Sequence, residues 1–212
     1  MSVTIDRGIV SSPAQPERLV AFLRANGMAR LSEIRAQGVT AATVSRLERS
    51  GAVIRLGRGL YQLPDAVLDV HHSLAEAAKR VPNGVICGVS ALAFHGLTDQ
   101  LPRRVWIAIG QKAWAPTGDQ PLRIVRFADE RLAADVEIHT IEGVAVRVFA
   151  APRTLADAFN PRRGVARDVA VQALREALRL RLATPAQIAD QAVGARTWDV
   201  VRPYLEALTL DG

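Results

Sequence analysis

Cysteine is almost missing from this chain of 212 residues: Cys87 stands alone, which excludes an internal disulfide. One thiol and four histidines do not make a zinc ligand set, since His71-His72 has no companions at metal-ligand spacing. No apolar run approaches the roughly 18 residues a membrane-spanning helix needs. The opening MSVTIDRGIVSS lacks the charged-then-apolar order of a secretory signal, so cytoplasmic residence is expected, with residues 1–15 as a flexible arm. No glycine-rich phosphate loop lies between a strand and a helix, which removes support for nucleotide binding, and no cofactor is expected. Lysine is absent from the first 64 residues, but arginine is not.

The charge is unevenly divided. Residues 1–64 hold nine arginines against four acids, a net +5, while the remainder holds eighteen basic and seventeen acidic residues, a net +1. A basic head on a nearly neutral body implies a polyanion contacted by the head.

Local chemistry divides that head, residues 16–64, into three short helices and a two-stranded hairpin. Pro16 suits a first helical position with Gln15 as cap, Glu17 complements the helix dipole, and Leu19, Val20, Phe22 and Leu23 form an apolar stripe ended by Asn26-Gly27. Leu31 to Gln37 reads as a second helix with Leu31, Ile34 and Ala36 facing inward, closed by Gly38. Thr40 caps a third helix that runs to about Ser50 and is closed by Gly51. Val53 to Leu56 and Leu60 to Leu63 are strand-like, with the hairpin signal Gly57-Arg58-Gly59 between them.

On the third helix, Val44 and Leu47, with the preceding Val39, face inward. Ala42, Thr43, Ser45, Arg46 and Arg49 are expected on the outward side. Short side chains let such a helix approach a major groove, and arginines reach guanine edges or phosphates. Arg55 leads into the hairpin and Arg58 sits at its tip, placed to grip backbone or enter a minor groove. The expected DNA-binding residues are therefore Thr40, Ala42, Thr43, Ser45, Arg46, Arg49, Arg55 and Arg58, with the guanidinium groups of residues 46, 49 and 58 converging on one face. The plainer alternative is that Arg46 and Arg49 only solvate an exposed helix. The fold expected for the head is a winged helix-turn-helix.

Residues 65–212 read as a second, mixed domain with a small sheet and a helical tail, making the chain α+β as a whole. Helices are expected from His72 to Arg80, from a Ser90 cap to Phe94, and over Pro152–Phe159, Val165–Leu182, Thr184–Val193 and Thr197–Leu208. Strand content marks Val85–Cys87, Arg104–Ile109, Leu122–Phe127, Val136–His139 and Val144–Phe149; Gln111 to Gln120 is a loop. Catalytic residues are not expected. Ser90 is better read as a cap, His95-Gly96 as a helix end and Asp99 as a turn residue, while Arg153 and Asp157 form an i, i+4 ion pair that is solvated or partly buried. The arginines at 103, 104, 123, 126, 162, 163 and 167 make local basic clusters, read as solvent-facing or as contacts to DNA, RNA or a partner. Trp106 is expected in the core, and Trp114 in the loop as a partner contact.

Two blocks, SALAFHGLTDQLP and APRTLADAF, follow the head in that order. With RLVAFLRANGMARLSEIRAQGVTAATVSRLERSGAVIRLGRGLYQLP before them, the chain resembles the AbiEi-type antitoxins, transcriptional regulators of bacterial type IV toxin–antitoxin and phage-defence systems. The likeness runs from about Pro16 to Leu208, with Ala151-Pro152-Arg153-Thr154 where the family often shows serine or glutamate before the arginine. It implies a head that binds inverted repeats of double-stranded DNA in its own promoter and represses it. It also implies a second domain needed against a nucleotidyltransferase-like toxin, without a stable complex between the two. A stand-alone regulator or a protein-interaction module without a toxin partner is the alternative.

Overall fold

A computed structural model of the chain describes residues 13–116 and 121–210. Most of the expected arm and the 117–120 part of the expected loop lie outside the described residues. The chain divides into two compact units, Met1–Val67 and Leu68–Gly212.

The first unit begins with α1, Gln15–Asn26. Its cap is Ala14 rather than Gln15, and Pro16 takes the second helical position. The Ala14 amide donates to the Glu17 carboxylate at 3.2 Å, which leaves the Gln15 side chain free for another partner. After Gly27 come β1 (Met28–Arg30), α2 (Leu31–Ala36), α3 (Ala41–Arg49), β2 (Ile54–Gly57) and β3 (Leu60–Gln62). The three strands form one antiparallel sheet in the order β1-β3-β2, so the expected hairpin has a third member. Three residues are too few to display an alternating pattern, and β1 was therefore invisible to periodicity. A register shift between Arg55 and Gly57 marks a bulge beside the tip, where Gly59 takes φ +67°, a conformation that glycine adopts without steric cost.

Helices of 6 to 12 residues do not persist alone. Their order comes from a shared core of Leu19, Leu23, Ala29, Ile34, Val39, Val44, Val53, Tyr61 and Leu63. Each fully buried Leu, Ile or Val contributes about 1.5–3 kcal/mol, against which the weak helix propensities of these segments are small. Ala36, expected inward, is exposed, because α2 is too short to turn a second residue to the core after Ile34.

The second unit carries a five-stranded mixed sheet. In chain order it contains α4 (His72–Arg80), β4 (Val85–Ile86), α5 (Gly88–Phe94), β5 (Val105–Gly110), β6 (Leu122–Phe127), α6 (Asp129–Ala133), β7 (Val136–Ile141) and β8 (Val144–Phe149). Then follow α7 (Ala151–Ala158), a 3-10 turn (Pro161–Arg163), α8 (Arg167–Arg179), α9 (Pro185–Ala195) and α10 (Trp198–Leu210). Strand order is β6-β5-β4-β8-β7, with β5/β6 and β4/β8 parallel and β4/β5 and β7/β8 antiparallel. Every residue of β5 is buried, as a strand covered on both faces requires. The apolar residues of α7 to α10 close over Trp106, Phe127 and Phe149 in one core.

Two sequence expectations change here. Ser90 is not a cap: α5 starts at Gly88, and the buried Ser90 Oγ accepts from the Trp106 amide at 2.9 Å. Gly88 makes the early start possible, because its φ is +53° and any Cβ would fall 2.3 Å from the Trp106 ring. The helix expected over Val165–Leu182 is shorter at both ends: α8 runs Arg167–Arg179 and stops before Arg181 at φ +56°. None of the helices among the described residues is long and apolar enough to cross a membrane.

Candidate nucleic-acid interface

Helix α3 has two unlike sides. Ala42, Ser45, Arg46 and Arg49 are all exposed, and their spacing of i, i+3, i+4 and i+7 places them on a single stripe. Val44 is fully buried opposite them and Leu47 packs partly buried against the same core. Thr40 caps the helix, its hydroxyl accepting from the Thr43 amide at 3.3 Å. A hydroxyl at this position contributes about 1 kcal/mol relative to alanine.

Thr43 does not belong to the outward stripe. It is only 9% exposed, and its hydroxyl donates to Gln15 Oε1 at 2.8 Å. The reason is helical spacing: residues 43 and 47 are i, i+4 neighbours, so Thr43 shares the face of Leu47. Gln15 is expected as a cap, and Arg18 is one of the nine arginines counted in residues 1–64. Both instead brace the approach to α3, with Arg18 Nη2 donating to the Gly38 carbonyl at 3.0 Å. No local pattern marks such long-range polar contacts.

The arginines of the stripe and hairpin have no carboxylate partner among the described residues. Arg49 Nε donates to the Ser45 carbonyl at 3.3 Å and Arg55 Nε to the Gly57 carbonyl at 3.0 Å. Arg58 is exposed at the hairpin tip, and Arg46 is exposed on α3. Unneutralised guanidinium groups beside short polar side chains can bind phosphate and base edges together.

The candidates of the second unit have other partners. The Arg153 guanidinium is 1% exposed and its Nε donates to Asp157 Oδ2 at 2.7 Å. Arg131 Nη2 donates to Asp157 Oδ1 at 3.3 Å, and Arg153 also lies over the Phe149 ring at 4.6 Å. This pair is deeply buried rather than solvated, which makes the APRTLADAF block a structural keystone. His95 Nε2 donates to the Phe149 carbonyl at 2.8 Å, and burial pulls its pKa below the ordinary value. With Ser90 bonded to Trp106 and Asp99 exposed, these residues have separate partners and make no relay. Burial pushes the Cys87 thiol up, so it stays protonated. No group of three or more potential metal ligands occurs among the described residues.

Several basic residues singled out in the sequence are structural staples. Arg126 Nη1 donates to the carbonyls of Gly110, Gln111 and Ala113 at 3.0, 2.7 and 3.0 Å. Arg163 donates to the Arg126 carbonyl at 2.9 Å and stacks 3.6 Å over Phe127, and burial pulls its pKa down. Arg123 covers Trp106 at 3.7 Å, and that indole is 6% exposed, while Trp114 is 73% exposed.

Comparison with known proteins adds two findings. Residues 17–64 match a family model described as transcriptional regulator, AbiEi antitoxin. The crystal structure of the RV2827C protein from Mycobacterium tuberculosis superposes with a TM-score of 0.64 at 15% identity, covering 92% of this chain and 78% of that one. Likeness at that identity speaks for the fold alone. No curated protein matches the chain.

Proposed function

We propose that residues 16–64 form a winged helix-turn-helix that binds inverted repeats in the promoter of its own operon, and that the protein is an autorepressor and an antitoxin. In this reading α3 lies in a major groove and the β2–β3 hairpin is the wing, its Arg58 reaching backbone or minor groove. The observation that carries it is the exposed stripe Ala42, Ser45, Arg46 and Arg49, inside the segment that matches a transcriptional-regulator family. Residues 65–212 are the antitoxin domain, acting against a nucleotidyltransferase-like toxin of a type IV system.

Gel shifts with the full chain test the DNA half. The wild type should prefer a duplex carrying its promoter repeats over a scrambled duplex, and the Arg46→Ala, Arg49→Ala, Arg58→Ala triple variant should lose most of that binding. Equal binding by the two proteins would discard the α3 and wing assignment. For the toxin half, removing residues 68–212 should spare some DNA contact and abolish protection of toxin-expressing cells. Rescue by the shortened chain would refute the division of labour.

A second reading, a stand-alone regulator or protein-interaction module without a toxin, is favoured by one observation: the family match ends at residue 64. A nucleotidyltransferase-like reading frame beside the gene decides between the two.

A further inference from the structure

We infer that Gln15 is a positioning residue for α3, holding its first turn at the angle from which Ala42, Ser45 and Arg46 meet base edges. The inference rests on the DNA reading above and deepens it. Gln15 Oε1 accepts from Thr43 Oγ1 at 2.8 Å and from the Thr40 amide at 3.1 Å, and it lies 3.2 Å from Thr40 Oγ1. A backbone amide only donates, so the oxygen of the Gln15 side chain must be the atom turned toward α3. Thr40 Oγ1 also accepts from the Thr43 amide at 3.3 Å, so the helix cap and this clamp share one hydroxyl. Arg18, one turn further along α1, adds a second brace: its Nη1 donates to the Pro13 carbonyl at 2.6 Å and its Nη2 to Gly38 at 3.0 Å.

The clamp answers a mechanical need. Helix α3 has nine residues, and its apolar seam is Val44 and Leu47, in its middle and second half. Apolar burial is non-directional and leaves a short helix free to roll about that seam. Hydrogen bonds are directional and remove the roll at the first turn. The amino-terminal residues of a recognition helix are the ones nearest the bases. Loss of the clamp should therefore cost discrimination between sequences more than it costs grip on phosphate, which tolerates displacement. Thr43 then acts through Gln15, not by touching DNA.

A double-mutant cycle on the full chain tests this, using Gln15→Met, Thr43→Val and the pair, all close in size to the native side chains. The probes are the promoter duplex and a scrambled duplex of equal length, with Arg46→Ala as a parallel control. Each single variant should bind the promoter duplex roughly three- to tenfold more weakly, as expected for a lost hydrogen bond, and the scrambled duplex within about twofold of wild type. The pair should be no weaker than the worse single variant, because both changes break one interaction. Hydrogen exchange at the Thr43 amide in the free protein should rise in Gln15→Met. The inference is overturned if promoter binding is unchanged, if the two losses multiply, or if both duplexes weaken equally. Those failures are separable from failure of the DNA reading: there, the wild type shows no promoter preference and Arg46→Ala changes nothing, which sinks both.

Discussion

Arginine is put to opposite uses in the two units. On α3 and the hairpin of the first, Arg46, Arg49, Arg55 and Arg58 are exposed, and no carboxylate pairs with them among the described residues. In the second unit arginines are repeatedly matched with acids: Arg80 with Glu76, Arg153 and Arg131 with Asp157, Arg179 with Glu176, Arg202 with Glu206. Others there hold carbonyls or cover aromatic rings, as Arg126 and Arg123 do. An ion pair already made inside the protein presents little field to a polyanion, whereas an unpaired guanidinium presents all of it. Net charge alone pointed to the first unit, and the pairing explains why the rest of the chain, with twice as many basic residues, does not read the same way.

The contrast is broken most forcefully at Arg153. Removing either member leaves the other buried charge without its closest partner, Asp157 keeping only the longer Arg131 bond, so Arg153→Ala and Asp157→Ala should each destabilise the second unit by about 3–5 kcal/mol. Denaturant unfolding measures it, and a loss below about 1 kcal/mol would show that the pair is not the keystone described above. The exposed Arg46 should behave in the reverse manner. Arg46→Ala is expected to cost about 1–3 kcal/mol of promoter binding, with stability within about 0.5 kcal/mol of wild type. Arg179→Ala, an exposed arginine already paired to Glu176 at 2.7 Å, should change neither quantity. If Arg179→Ala weakens promoter binding as much as Arg46→Ala does, the division between the units is wrong.

Arg58 offers a finer test. A wing-tip contact to phosphate releases counterions without reading sequence, so Arg58→Ala should weaken promoter and scrambled duplexes alike and reduce the salt slope of binding by about one. A loss confined to the promoter duplex would instead make Arg58 a base reader, as a guanidinium in a minor groove can be.

What the sequence made legible follows the range of the interaction. Helix α4 and strands β6 and β8 have the expected bounds, and Thr40 caps the helix it was expected to cap, because each rests on signals within a few residues. Thr43 was misplaced by reading polarity instead of spacing; its i, i+4 relation to Leu47 was available. Ser90 as a cap failed for a different reason. Its hydroxyl is taken by Trp106, sixteen residues away, and Gly88 had already begun the helix. The Arg153 bond to the Arg131 carbonyl and the bracing of α3 by Gln15 and Arg18 span 20 to 28 residues, which no local pattern encodes. The exposed stripe on α3 was legible because it is the complement of an apolar seam. The bonds that hold the stripe at its angle were not.

The smallest expected effect separates the units by pH. All four histidines lie beyond residue 70, so the first unit has no side chain whose ordinary pKa falls between about 5 and 8. In the second unit His95 is held neutral: burial lowers its pKa from the ordinary 6.5, partly opposed by its bond to the Phe149 carbonyl. A group with a lowered folded pKa binds more protons in the unfolded chain once pH drops below the unfolded value. Its contribution is therefore complete above about 6.5, shrinks as pH falls toward the folded pKa, and levels off below it. Stability of the full chain against unfolding should accordingly fall on acidification from pH 7.5 to 5.5, and His95→Gln should flatten that slope. Promoter binding over the same range, while the chain stays folded, should be nearly constant. A promoter affinity that falls in step with the His95-dependent loss of stability would mean that the second unit takes part in DNA binding, and the separation of roles drawn from the arginines would have to be abandoned.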